Sequence, residues 1–76
     1  MISRVEVECY AGYKADERPV RFYLGQREYR VVEVVDQWYS PSSTYFRVRG
    51  EDGHLYVLRH SIDPADEWTL ESFRRG

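Results

Sequence analysis

Seventy-six residues with a formal net charge of −2 make a single domain, and at that size one hydrophobic core leaves only roughly 3–5 kcal/mol of net stability. Cys9 is the only cysteine, which excludes an intramolecular disulfide and points to a reducing, cytoplasmic setting. No apolar stretch approaches the roughly 18–20 residues that cross a membrane, and Met1–Glu6 lacks the apolar segment and cleavage site of a secretory leader, so no membrane association is expected.

With no disulfide available, the core has to come from rings. Seven Tyr, three Phe and two Trp can each bury on the order of 150–250 Å², enough for a barrel of five or six strands.

Ile2 to Tyr10 alternates, with Val5, Val7 and Cys9 on one face and Arg4, Glu6, Glu8 and Tyr10 on the other. This predicts a first strand with one solvated face, and Cys9 reads as a buried, inert thiol. Ala11 to Glu17 is polar and contains Gly12, which predicts a loop. Pro19 limits the next strand to an edge or a first position; Val20 to Leu24 then alternates, and Gly25-Gln26-Arg27 predicts a short hairpin connection.

Glu28 to Trp38 is the longest segment. Strict alternation puts Tyr29, Val31 and Val35 on one face and Val32, Val34 and Trp38 on the other. Both faces are then partly apolar, as in a long strand that bends to serve two packed sheets, or one with a β-bulge near Glu33. Ser40 to Thr44 predicts a loop, and Phe46 and Val48 alternate with Tyr45, Arg47 and Arg49.

Glu51-Asp52-Gly53 suits a three-residue hairpin ending in a left-handed glycine. That loop sets Val48 opposite Tyr56 and Phe46 opposite Leu58. It leaves Arg47, Arg49, Leu55, Val57 and Arg59 on the other face, a parity that a four-residue loop inverts. Ser61 to Asp66 predicts a helical turn at about 63–66, with Asp63 as N-cap and Pro64 in the first turn. Trp68 to Glu71 alternates as a closing strand, and Arg74 to Gly76 reads as a frayed tail.

The expected fold is therefore all-β: a small, strongly bent antiparallel barrel, SH3-like, of five to six strands. The alternative is an antiparallel meander sheet with a C-terminal helix over 64–74, whose apolar residues spread too far around the axis to make a good amphipathic face.

Little in the chain points to catalysis. His60-Ser61-x-Asp63 has triad-type residues, but a triad is assembled from distant segments beside an oxyanion hole, and helix capping explains Ser61 and Asp63. The two histidines, His54 and His60, lack metal-ligand spacing, and there is no phosphate-binding glycine loop. No catalytic residue, metal or cofactor is expected.

Charge and rings point to binding. Arg18 to Arg49 carries six Arg against three acids, Glu28, Glu33 and Asp36, whereas the remainder holds five basic residues against ten acidic ones. Aromatic residues interleave with these arginines. The candidate surface is Trp38, Tyr39, Tyr45, Arg47, Arg49 and Arg59, with the 38–45 segment as a recognition loop. Such residues are enriched at protein–protein hot spots and also suit single-stranded nucleic acid, with rings for bases and guanidinium groups for phosphates. The nucleic-acid reading requires Arg21, Arg30, Arg47, Arg49 and Arg59 to converge on one face, and it loses ground if they scatter or pair with the nearby acids. Net negative charge already disfavours it. An exposed edge strand also offers a homodimer by sheet extension.

Gly25, Tyr29-Arg-Val-Val-Glu-Val-Val35, Trp38, Tyr45-Phe-Arg-Val48, Gly53-His-Leu-Tyr-Val-Leu-Arg59 and Trp68-Thr-Leu70 together resemble a family of small bacterial β domains of unknown function. Related domains occur at the C-terminus of some ImuB-like Y-family polymerase homologues. The resemblance covers roughly residues 19–70 and implies an accessory domain without a transferable activity or ligand set.

Overall fold

The computed structural model describes residues 3–11, 17–61 and 67–75. Seven strands follow in chain order: β1 (Ser3–Arg4), β2 (Glu6–Ala11), β3 (Glu17–Leu24), β4 (Arg27–Ser40), β5 (Ser43–Gly50), β6 (Leu55–Ser61) and β7 (Glu67–Arg74). All neighbours are antiparallel, in the order β1-β7-β6-β5-β4-β3-β2. β1 and β2 are separated only by Val5 and read as one bent strand, so six strands form a strongly curled half-barrel. That first strand supplies both ends of the order: Ser3 and Arg4 pair with Leu70 and Thr69, while Glu6 to Ala11 pair with β3. The Val5 N–H donates to the Trp68 carbonyl at 3.1 Å, which fixes the bend.

Like the bent first strand, β4 divides its length between two partners. Arg27 to Arg30 pair with β3, and Val31 to Ser40 pair with β5. Its register against β5 shifts between Val31 and Glu33 and again between Val34 and Asp36. Val32 and Val35 are the extra residues of two β-bulges, and both are exposed, at 57% and 42%. Each bulge resets the alternation. Val31 and Val34 both pack against the core, with Val34 opposite Val48, while Glu33, Asp36 and Trp38 face outward opposite Arg49, Arg47 and Tyr45. The strict alternation expected for this strand is thus corrected: Val34 does not share a face with Trp38, nor Val35 with Tyr29. Two bulges this close bend and twist a strand sharply.

The hairpin at Glu51–Gly53 has the expected form. Gly50 and Gly53 close it through Gly50 N–H to His54 O at 2.9 Å and Gly53 N–H to Gly50 O at 3.0 Å, and Gly53 takes φ +84°. Val48 accordingly lies opposite Tyr56, and Phe46 opposite Leu58. Phe22, Phe46, Val48, Tyr56, Leu58 and Val5 form the buried core. The half-buried rings of Tyr29 and Trp68 pack against it: Tyr29 stacks on Phe22 at 5.3 Å, and Tyr56 meets Phe22 edge-on at 4.9 Å.

Pro19 is the third residue of β3 rather than its first, buried, on the stretch that pairs with β2 alone among the described residues and is therefore a local edge as expected; the register against β2 shifts between Glu8 and Cys9, with Val20 the extra residue. Other expectations are corrected. Cys9 is only half-buried. The loop expected at Ser40–Thr44 contracts to a turn at Pro41–Ser42, because Ser40 and Ser43 pair directly. β7 is a strand from Glu67 to Arg74, which overturns the C-terminal helix over 64–74. It also carries order into the segment expected to fray, since Arg74 pairs with Leu55 and the Phe73 ring packs on Tyr56 at 5.1 Å. The helical turn at about 63–66 lies outside the described residues.

Phe22 is fully buried at the junction of the two halves, so Phe22→Ala is expected to cost about 3–5 kcal/mol, most of the stability available at this size. Val32→Ala, on an exposed bulge, is expected to stay within about 0.5 kcal/mol. Urea midpoints of the two variants check both.

Candidate functional site

The structure brings five of the six sequence-predicted residues onto the convex face of β4–β5–β6. Cross-strand pairing makes three rows: Trp38–Tyr45–Arg59, Asp36–Arg47–Val57 and Glu33–Arg49–Leu55. Trp38 and Tyr45 stack in parallel, with centroids 5.4 Å apart and planes 1° apart. The Arg47 guanidinium sits over the Trp38 ring at 5.5 Å. Neither ring belongs to the core cluster, so this stack is a feature of the surface. Arg59 reaches across the sheet, its Nε donating to Ser43 Oγ at 3.0 Å. Beside the stack, Arg47, Leu55, Val57, Ser72, Phe73 and Arg74 line a shallow depression of about 280 Å³.

Tyr39 departs from the expectation. It pairs with Thr44, in the same register row as buried His60, and so points to the other face from Trp38. It is 73% exposed, and its hydroxyl accepts from Gln37 Nε2 at 2.8 Å. Because the expected recognition loop is a tight turn, Trp38, Tyr39 and Tyr45 are strand residues held by pairing.

The arginines do not converge. Arg21 and Arg30 pair across β3–β4, away from the β4–β5–β6 face. Three of the five required guanidinium groups have acid partners: Arg21 with Glu28 at 3.1 Å, Arg49 with Glu33 at 3.4 Å and Arg47 with Asp36 at 4.0 Å. Arg21 also lies 3.6 Å from Glu8, an ion-pair distance at which its Nε makes no hydrogen bond. Tyr23, Glu28 and Glu8 all favour its charged form and raise its pKa. Exposed pairs of this kind add about 0–1 kcal/mol of stability, but they neutralise the charge that a phosphate chain needs.

β4 from Val31 to Ser40 pairs with β5 alone among the described residues. A slot of about 680 Å³ opens beside it, with Pro19, Val20, Val31 and Val34 in its walls. The two bulges and the outward Glu33 and Asp36 break this edge, a pattern that blunts strand addition and weakens the case for an edge-paired homodimer.

A second constellation escaped the sequence reading. Asp52, in the β5–β6 turn, accepts from the His54 backbone N–H at 3.0 Å and from the Tyr56 hydroxyl at 2.5 Å. Burial pulls the Asp52 carboxyl upward, but these bonds outweigh it and hold the pKa below the usual value. Burial and the Asp52 bond push the Tyr56 hydroxyl far above its usual value. Around them, Leu24, Arg27, Tyr29, His54, Leu70 and Phe73 line an open cleft of about 360 Å³. Phe73 is half exposed and meets His54 edge-on at 5.3 Å. The residues come from β3, β4, β6, β7 and a turn, and no spacing along the chain announces the cluster. Only the Asp52-Gly53 turn signature marked one of its members. Among the described residues, no three His, Cys, Asp or Glu side chains are grouped to hold a metal ion.

No protein-family model matches the chain, and neither a curated protein nor a solved structure does. The likeness to the small bacterial β domains therefore rests on the quoted residues alone.

Asp52 and Tyr56 predict opposite pH limbs. Asp52, with a depressed folded pKa, contributes stability fully above its ordinary value of 3.8, and that contribution is lost as pH falls through the lower folded value. Tyr56, with a raised one, contributes below its ordinary value of 10.0, and its contribution fades as pH rises toward the folded value. Tyr56→Phe is expected to flatten the alkaline limb and Asp52→Asn the acid limb, read from urea midpoints between about pH 2 and 11.

Proposed function

We propose that this chain is a non-enzymatic protein-interaction module, an accessory domain as the family resemblance implies, working in a reducing, cytoplasmic setting. Its docking surface is the convex face of β4–β5–β6, with Trp38, Tyr45 and Arg47 at the centre and Arg49 and Arg59 at the margin.

The observation that carries this reading is the stack itself. Trp38 and Tyr45 lie in parallel at 5.4 Å, with the Arg47 guanidinium 5.5 Å from the Trp38 ring centroid, and both rings sit outside the core. Rings and Arg pre-ordered by neighbours lose little conformational freedom on binding, and Trp, Tyr and Arg dominate measured hot spots. The shallow depression beside the stack, with Leu55 and Val57 in its lining, adds apolar area next to those anchors. The acids paired with Arg21, Arg47 and Arg49 favour a protein surface of mixed charge over a phosphate backbone.

Trp38→Ala is expected to weaken capture of the partner from source-cell lysate at least tenfold, as truncation of a hot-spot residue does, while leaving the urea midpoint within about 1 kcal/mol of the parent. Retention of the partner by Trp38→Ala contradicts the reading. So do salt-sensitive amide shifts on Tyr45, Arg47, Arg49 and Arg59 when mixed-sequence single-stranded DNA or RNA is added, which select nucleic acid instead.

A further inference from the structure

The cleft on Asp52 has the chemistry of a cation site. Its lining includes Tyr29, Tyr56 and Phe73 together with His54 and Asp52. The rings are mutually packed: Tyr29 to Tyr56 at 5.6 Å and Tyr56 to Phe73 at 5.1 Å. The electron-rich faces of such rings attract ammonium and guanidinium groups within about 6 Å of the centroid. The Asp52 carboxylate adds a full negative charge and is held in place by the Tyr56 hydroxyl and the His54 N–H.

One cation already uses this environment. The Arg27 guanidinium carbon lies 5.6 Å from the Tyr29 ring centroid. Arg27 is exposed, and it makes no ion pair with an acid among the described residues, unlike Arg21, Arg47 and Arg49. It extends from the first position of β4, directly after the Gly25–Gln26 turn.

We propose that this cleft binds an organic cation, the ammonium or guanidinium end of a Lys or Arg side chain, and that Arg27 is its internal stand-in, displaced when the ligand arrives. The ring faces supply the attraction, Asp52 supplies the countercharge, and Arg27 lowers the apparent affinity by competing for the same position. The site shares Phe73 with the depression on the convex face but contains none of Trp38, Tyr45 and Arg47.

The test is an amide-shift titration with N-methylguanidinium and tetramethylammonium as separate probes, and with neutral 3,3-dimethylbutan-1-ol as a control for apolar filling. Both cations are expected to move His54, Asp52 and Phe73, and the alcohol is not. Arg27→Ala is expected to bind about three- to tenfold tighter, and Asp52→Asn, which keeps the size of the side chain, about three- to tenfold weaker. Phe73→Leu, at a half-exposed ring, is expected to weaken binding without unfolding the chain. If guanidinium alone binds, the natural ligand is an Arg side chain; if tetramethylammonium alone binds, it is a methylated Lys. Equal shifts with the neutral alcohol overturn the proposal, as does an Arg27→Ala variant whose affinity for both cations is unchanged while its spectrum remains that of the folded protein.

Discussion

Val32 and Val35 each add one residue to β4 without adding one to β5, and the facing of every side chain on that strand depends on them. An unbulged β4 in the Trp38–Tyr45 register sets Val34 outward beside Trp38, puts Val35 opposite Val48 and turns the Glu33 carboxylate inward opposite Gly50. With both bulges, Val31 and Val34 face inward and Glu33, Asp36 and Trp38 face outward. The same distortion bends the strand, which lets its first part pair with β3 and the rest with β5. A strand of 14 residues can serve both halves of a half-barrel only if it turns a corner, and bulges are how strands do so.

From that register the two surfaces follow. Outside, Glu33 meets Arg49, Asp36 meets Arg47, and Trp38 meets Tyr45, which gives a convex face of neutralised charges around an aromatic stack. Inside, Phe22, Tyr29 and Tyr56 close on one another, and Tyr56 carries the core to the rim by donating its hydroxyl to Asp52. Gly50 is tied to this arrangement: a Cβ built there meets Asp52 Oδ1 at 2.9 Å and Tyr56 Cε1 at 3.1 Å. The turn, the carboxylate and the buried ring are thus one packed unit, and it forms the floor and rim of the second cleft.

Much of this was legible in the residues. Alternation located the strands, and the Glu51-Asp52-Gly53 turn set the β5–β6 register, because a three-residue loop with a left-handed glycine permits only one parity. Tyr45, Arg47, Arg49 and Arg59 share a face for the same reason, and Trp38 joins them through the direct pairing of Ser40 with Ser43. Tyr39 was misplaced because it was read as part of a loop, where alternation gives no direction; paired opposite Thr44, it must face away from Trp38. The bulges were half legible: a run with valines on both faces signals a break in alternation, but which valine is extra depends on packing against Val48 and Gly50. The Asp52 cleft was not legible, because its residues meet only after β3, β4, β6 and β7 have curled together.

The register of β4 is the claim that most directly decides the account. Cross-strand nuclear Overhauser effects in the labelled protein measure it. The account predicts contacts from Trp38 to Tyr45, Val34 to Val48 and Val31 to Gly50, the register moving by one residue at each bulge. Contacts from Val34 to Arg49 and from Glu33 to Gly50 instead describe an unbulged strand. They contradict the bend, the inward Val34 and the outward pairing of Glu33 with Arg49.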